Sequence, residues 1–119
     1  MAQKRQITIL TDANLITCIV QKGEADAITK AAYAAGAQGA TTYYAQGSGV
    51  REKLGLYGVA VEAEKEVINI IVSQEQTPRV FDAMYLAGKL DTPGKGFIYV
   101  SSLEKAGTYI PPALLEKLA

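Results

Sequence analysis

Two Gly-Lys pairs and one Gly-Ser-Gly turn are the features of this sequence most able to do chemistry. The pairs are Gly88-Lys89 and Gly94-Lys95, and the turn runs from Gly47 to Gly49. A glycine turn lets backbone N–H groups approach an anionic oxygen closely, because no Cβ stands in the way. A nearby lysine adds positive charge for a phosphate group. The pattern indicates an anion site, with Lys65 as a further cation; the alternative is that the glycines only make turns and the lysines only solvate loops.

Several kinds of catalytic chemistry are excluded by composition. The chain has no histidine and a single cysteine, Cys18. Nucleophile activation by a histidine is therefore impossible, and so is a zinc site built from several cysteines. Cys18 lies in an apolar run, where we interpret it as a small buried hydrophobe. Glu62 and Glu64 are a possible acid and base, but no nucleophile accompanies them, and we predict that the protein is not an enzyme.

The overall composition is that of one ordinary globular domain spanning residues 1–119. Twelve basic and twelve acidic residues cancel, which does not favour a nucleic-acid partner. The apolar runs are too short to cross a bilayer, and no leader sequence is visible. We therefore expect a cytoplasmic protein without membrane insertion.

The order of the predicted elements indicates an α+β fold. Glycines close both helices, after residues 35 and 87, and Pro78 marks the start of the second. Residues 6–10 and 15–20 are both strand-like, and we expect either a hairpin or one bent strand there. The run 66–73 is apolar enough to be buried on both faces, or on one face and a subunit contact. The resulting order, βαββαβ, is the ferredoxin-like sandwich, with strands at 15–20, 38–46, 66–73 and 97–100 and helices at 23–35 and 77–88.

The segment 49–65 is the candidate docking loop. It mixes charged residues with apolar ones, among them Arg51, Lys53, Leu56 and Tyr57. That composition suits a loop that becomes ordered on a partner.

At this point the order and the motifs resemble the PII signal-transduction family. Residues 36–41 resemble the corner between its first helix and second strand. Gly47-Ser48-Gly49 resembles the Gly-x-Gly that opens its T-loop, and residues 87–96 resemble its B-loop. On this alignment residues 1–14 are an N-terminal extension.

The resemblance implies a compact homotrimer that binds an adenine nucleotide (ADP, AMP or ATP) between subunits and regulates a membrane transporter or a metabolic enzyme through the T-loop. Whether Mg²⁺ accompanies the nucleotide is open. The residues implied for nucleotide binding are Ile19, Thr41, Gly47, Gly49, Arg51, Lys65, Gly88, Lys89, Gly94 and Lys95.

The sequence also departs from the family pattern. Val50 stands where the family has an arginine, and Arg51 stands where it has a glutamine associated with Mg²⁺ and 2-oxoglutarate. The two arginines that follow the last strand in the family have no counterparts in residues 103–110. We therefore expect ADP or AMP to bind about as well as ATP, and 2-oxoglutarate to add nothing. The alternative is a small-ligand or metal-tolerance protein on the same trimeric scaffold, resembling the CutA group.

Overall fold

The computed structural model describes residues 5–46 and 64–113. In these ranges the chain forms two helices and six strands, two of them very short. The strands are β1 (Ile9–Leu10), β2 (Ala13–Gln21), β3 (Thr41–Gln46), β4 (Glu64–Ser73), β5 (Gly96–Ser102) and β6 (Ala106–Gly107); the helices are α1 (Ala25–Ala34) and α2 (Thr77–Ala87).

Four strands form an antiparallel sheet in the order β3-β4-β2-β5. Strand β2 is central and pairs along its full length with β4, from Ala13 opposite Ser73 to Gln21 opposite Lys65. On its other side it pairs with β5, from Asn14 opposite Ser102 to Val20 opposite Gly96. With the two helices this is the predicted ferredoxin-like arrangement, which is confirmed.

The core lies between one face of the sheet and the two helices. Alternate residues of β2 and β4 point to the helices and are almost fully buried, because opposed residues of an antiparallel pair share a face. They meet residues of both helices in one cluster, which includes Ile16, Cys18, Val20, Ile68 and Ile70 from the sheet and Ile28, Ala32, Val80 and Met84 from the helices. Each isoleucine buried in this way contributes roughly 1.5–3 kcal/mol.

Cys18 belongs to this core, as its apolar surroundings predicted. Its side chain is fully buried, and burial raises the pKa of the thiol to about 12. The thiolate is the nucleophilic form of cysteine. Cys18 is therefore protonated and unreactive at neutral pH.

The opposite face of the sheet carries apolar side chains that the helices do not cover. Ile71 is 57% exposed and Phe97 is 64% exposed, and the ring of Phe97 packs 5.9 Å from that of Tyr99. Leu15 and Ile19 lie on the same face by their register. We call this set, Leu15, Ile19, Ile71, Phe97 and Tyr99, the open face. The run 66–73 is thus buried on its helix side and partly exposed on the other.

The N-terminal strand does not form the hairpin, or the bent strand, that its sequence favoured. Strand β1 pairs antiparallel with β6, with Ile9 opposite Gly107 and Leu10 opposite Ala106. The two strands form a separate two-stranded sheet. The polar residues between β1 and β2 do bend the chain, but the hydrogen-bonding partner is nearly a hundred residues away.

Gly96 begins β5 at a point where the chain passes very close to β2. Its φ is +154°, and a Cβ there would overlap the carbonyl oxygen of Ile19 and lie 2.8 Å from Cγ1 of Val20. The obstructing oxygen belongs to the central strand, so it cannot move without disturbing the ladder. The close approach therefore requires glycine.

We expect Gly96→Ala to lower the free energy of unfolding by about 1–3 kcal/mol, the range for forcing an extra group into a packed region. Urea denaturation followed by circular dichroism measures this. The matched control is Gly39→Ala, because a Cβ at Gly39 meets nothing within 4 Å, and its effect should stay within about 0.5 kcal/mol. Equal stability of the two variants would show that the β2–β5 contact tolerates a side chain.

Candidate functional site

The four strands of the main sheet and both helices each have one terminus at the same end of the sheet, and most of the described candidate residues lie there. Strands β2 and β4 bring Gln21 and Lys65 to this end as a directly opposed pair. Helix α1 begins here and α2 finishes here, since the two helices run antiparallel: Arg79 near the start of α2 donates to the carbonyl of Ala35 at the end of α1, 2.6 Å away. The loop from α2 into β5, residues 88–95, closes this end, which we call the loop end of the sheet.

The loop begins with a tight turn that uses its own backbone donors. The N–H of Gly88 donates to Met84 at 2.9 Å, and that of Lys89 donates to Leu86 at 3.2 Å. Lys89 has a positive φ of 52°, in the left-handed region that ends many helices. Both N–H groups already donate to carbonyls at the end of α2. Lys89 would therefore bind an anion through its side chain.

Gly88 has a packing role in addition to the role that the resemblance implies. A Cβ at this position would lie 3.0 Å from Cδ1 of Ile28 in α1 and 3.2 Å from Cδ2 of Leu90. The end of α2 therefore approaches α1 closely at this residue. This contact supports the interpretation that Gly88 is a glycine for reasons of packing.

Gln21 ties the loop to the sheet, and sequence analysis missed it. Its side-chain amide donates to the carbonyl of Gly94 at 3.3 Å, while Gly94 itself has a φ of +78°. Together with the Gly96 contact, this bond sets the position of Lys95 next to the last residue of β2. The only available signal was that Gln21 is a polar residue at the end of an apolar strand.

Two lysines at this end, Lys95 and Lys22, are paired with carboxylates. Lys95 Nζ lies 3.8 Å from Glu24 Oε1, and Lys22 Nζ lies 3.0 Å from Glu64 Oε2. All four side chains are between a third and just over half exposed. Pairs of this kind contribute about 0–1 kcal/mol, so a stronger anion can replace the carboxylates.

A third carboxylate, that of Glu66, closes the N-terminus of α1. Glu66 is buried, and its Oε1 accepts hydrogen bonds from the N–H groups of Gly23 and Ala25. Negative charge is stabilised at this end of a helix by the unsatisfied N–H groups and the helix dipole. A carboxylate of the protein itself, rather than an external anion, therefore accepts hydrogen bonds from the N–H groups at the start of α1.

Lys65 and Ile19 lie on the side of the sheet that faces away from the helices. Lys65 is buried to 7% exposure between Gln21 of β2 and Ala45 of β3. Ile19 is half-buried and sits opposite Phe97 and Val67. The structure therefore brings Ile19, Lys65, Gly88, Lys89, Gly94 and Lys95 to the loop end.

Thr41 is not part of this group within one chain. It begins β3, at the far edge of the sheet, opposite Asn69. Three strand spacings separate β3 from β5, which is about 14 Å. Thr41 and Lys95 of one chain are therefore not neighbours and do not form a single binding group.

The remaining candidate residues lie outside the described ranges. They are Gly47, Gly49 and Arg51 of the predicted nucleotide site, and Lys53, Leu56 and Tyr57 of the docking loop, in addition to the same Arg51.

A concave region lies at the opposite end of the sheet. It has a volume of about 570 Å³ and is lined by carboxylates and an arginine, among them Asp12, Glu75 and Arg79. None of the candidate residues that the structure describes is among those that line it. We place the candidate site at the loop end, where the lysines and the glycine turns converge.

Within residues 5–46 and 64–113, no group of three or more histidine, cysteine or acidic residues is arranged to hold a metal ion. In the same ranges no helix is long and apolar enough to cross a membrane.

Comparison with known proteins gives one family match. Residues 13–109 match the family model described as nitrogen regulatory protein P-II. Among solved structures, the chain is similar to PII of Arabidopsis thaliana bound to citrate, with a TM-score of 0.61, 18% identity and coverage of 79% of each chain. A comparison with curated proteins found no match.

The role of Glu66 in closing α1 predicts a loss of stability on its removal. We expect Glu66→Ala to lower the free energy of unfolding by about 1–2 kcal/mol, the upper part of the range for a lost helix cap. Urea denaturation measures the loss. The control is Glu75→Ala, an exposed carboxylate in the turn before α2, for which no more than about 0.5 kcal/mol is expected. If the two variants unfold at the same urea concentration, the Glu66 hydrogen bonds do not stabilise the helix.

Proposed function

Because this chain belongs to the nitrogen regulatory protein P-II family, we propose that it is a trimeric regulatory protein that binds an adenine nucleotide between subunits. Proteins of this family are regulatory, generally trimeric and typically cytoplasmic, and the resemblance seen in the sequence is confirmed. The observation that carries the proposal is the loop at residues 88–95. This loop begins with Lys89 at the end of α2 and carries Lys95 beside the end of β2, where the contacts of Gln21 and Gly96 hold the loop.

The open face supports the trimeric part of the proposal. A sheet covered by helices on one face normally leaves a polar second face toward water. Here that face carries Ile71 and Phe97, both more than half exposed. An exposed apolar set of this kind indicates an interaction surface, and three sheets packed around one axis would cover it.

The position of Thr41 supports a site between subunits. Thr41 and Lys95 lie at opposite edges of one sheet, too far apart to share a phosphate or a ribose within a single chain. In an assembly of sheets, the β3 edge of one subunit comes near the β5 edge of a neighbour. A nucleotide in that cleft would meet the hydroxyl of Thr41 from one copy and Lys89 and Lys95 from the next.

Binding of the base and the phosphates would use different parts of the loop end. Ile19 is half-buried beside Phe97 and offers an apolar contact for adenine. Lys65, Lys89 and Lys95 supply positive charge for the phosphates. Segment 49–65 ends at Lys65. Binding of the nucleotide to Lys65 would therefore alter how this segment contacts a transporter or an enzyme.

A charged residue introduced on the open face should dissociate the assembly. We expect the protein to form a homotrimer, and Phe97→Asp to dissociate it, because an unpaired carboxylate in an apolar contact is costly. Size-exclusion chromatography with light scattering measures the mass of each. The control is Leu86→Asp, which introduces the same charge at a leucine 71% exposed on α2 and should leave the trimer intact. A monomeric unmodified protein across the micromolar range would contradict the proposal.

Removal of the positive charge of Lys95 should weaken nucleotide binding. We expect Lys95→Gln to weaken ADP binding by about 1.5–3 kcal/mol, the range for a hydrogen bond to a charged group, or roughly 12- to 160-fold. Calorimetric titration of both proteins measures this. The control is Lys30→Gln, which removes the same charge from α1, where Lys30 pairs with Asp26. Failure of ADP, AMP and ATP to bind the unmodified protein would leave the CutA-like alternative in place.

A further inference from the structure

We propose that Glu24 competes with the anionic ligand for Lys95, and that it thereby limits the preference of the site for ligands with more phosphate groups. This inference rests on the proposed function, and it assigns to Glu24 a role in selecting the ligand. Three observations support it: the ion pair between Glu24 and Lys95, the capping of α1 by Glu66 rather than Glu24, and the balance of charges at the loop end.

Glu24 is not needed to cap α1, although it occupies the N-cap position. It makes no side-chain hydrogen bond to the first turn. The carboxylate that accepts from this end of the helix is that of Glu66, through Gly23 and Ala25. The side chain of Glu24 points instead to Lys95, with the closest oxygen 3.8 Å from Nζ. Its charge therefore acts on the ligand-binding lysine rather than on the helix.

The pair is weak enough to open when a ligand arrives. The two side chains are 42% and 37% exposed, and 3.8 Å is near the outer limit for an ion pair. Exposed pairs of this kind contribute about 0–1 kcal/mol. A phosphate can therefore take the place of Glu24 on Lys95, at a cost that lowers its affinity by a small factor.

The surrounding charges explain why this cost depends on the ligand. At the loop end, the carboxylates of Glu24, Glu64, Glu66 and Asp91 stand with the ammonium groups of Lys22, Lys65, Lys89 and Lys95. These eight charges cancel before any ligand binds. Each added phosphate brings more negative charge toward Glu24, which repels it, so the repulsion is greater for ATP than for AMP.

The test compares AMP and ATP binding to Glu24→Gln. We expect ATP to bind about 2–5-fold tighter than to the unmodified protein, which corresponds to the range for an exposed ion pair, and AMP to gain less than about 2-fold. The control is Glu75→Gln, which removes the same charge at the opposite end of the sheet and should change neither affinity. In a Lys95→Gln background the gain from Glu24→Gln should disappear. Glu24→Ser, whose side chain favours the N-cap, should reproduce the gain with the helix start intact.

The outcomes separate this inference from the proposed function. If the unmodified protein binds nucleotides and Glu24→Gln behaves like Glu75→Gln, Glu24 is not a competitor and the proposed function stands. An equal gain for AMP and ATP would also overturn the selective role. If no nucleotide binds to the unmodified protein or to either Glu24 variant, the proposed function fails and the inference fails with it.

Discussion

Strand β2 is hydrogen-bonded along its whole length to β4 and over seven residues to β5, and the other elements take their positions from this ladder. Antiparallel pairing fixes which residues face the helices, because a shift of one residue would exchange the two faces. In the observed register Ile16, Cys18 and Val20 are buried under the helices. The same register places Gln21 at the end of the ladder, where it holds the carbonyl of Gly94. The candidate site is therefore positioned by the backbone of the core sheet.

The two faces of this sheet carry different functions in our account. The helix side holds the core and provides stability. The other side has a polar pair near its centre, Thr17 donating to Asn69 at 2.8 Å, with Thr17 only 5% exposed. Around this pair lie the apolar residues of the open face. The hydrogen bond gives the Thr17 hydroxyl and the Asn69 carbonyl oxygen a partner within the chain, which lowers the cost of covering these two groups with neighbouring copies.

The sequence was sufficient for the features that depend on local signals. Gly36 and Gly88 follow the helix ends, and the apolar run 66–73 forms a strand, as its composition indicated. Features set by distant partners were not accessible in the same way. Strand β1 pairs with β6 rather than with its neighbour, and no local pattern specifies that partner. The bond from Gln21 to Gly94 likewise joins residues 73 positions apart.

For Glu66, the sequence indicates part of its role through a local signal, while its partner is distant in the chain. Its spacing from Ile68 and Ile70 puts it on the buried face, and a carboxylate there must have a partner. That partner, the start of α1, is more than forty residues earlier and could not be read from the strand. The pairing of Glu24 with Lys95 was missed for the same reason. The hydroxyl of Thr41 was evident from its residue type, but its distance from the lysines was not, because that distance depends on the order of strands in the sheet.

Native mass spectrometry of the protein with ADP is the most direct test of the central claim that the nucleotide site lies between subunits. The method resolves the number of chains and the number of bound ligands in the same particle. Our account predicts trimers that carry up to three nucleotides, and monomers, where present, that carry none. Nucleotide bound to monomers, or trimers that remain free of nucleotide at saturating ADP, would contradict it.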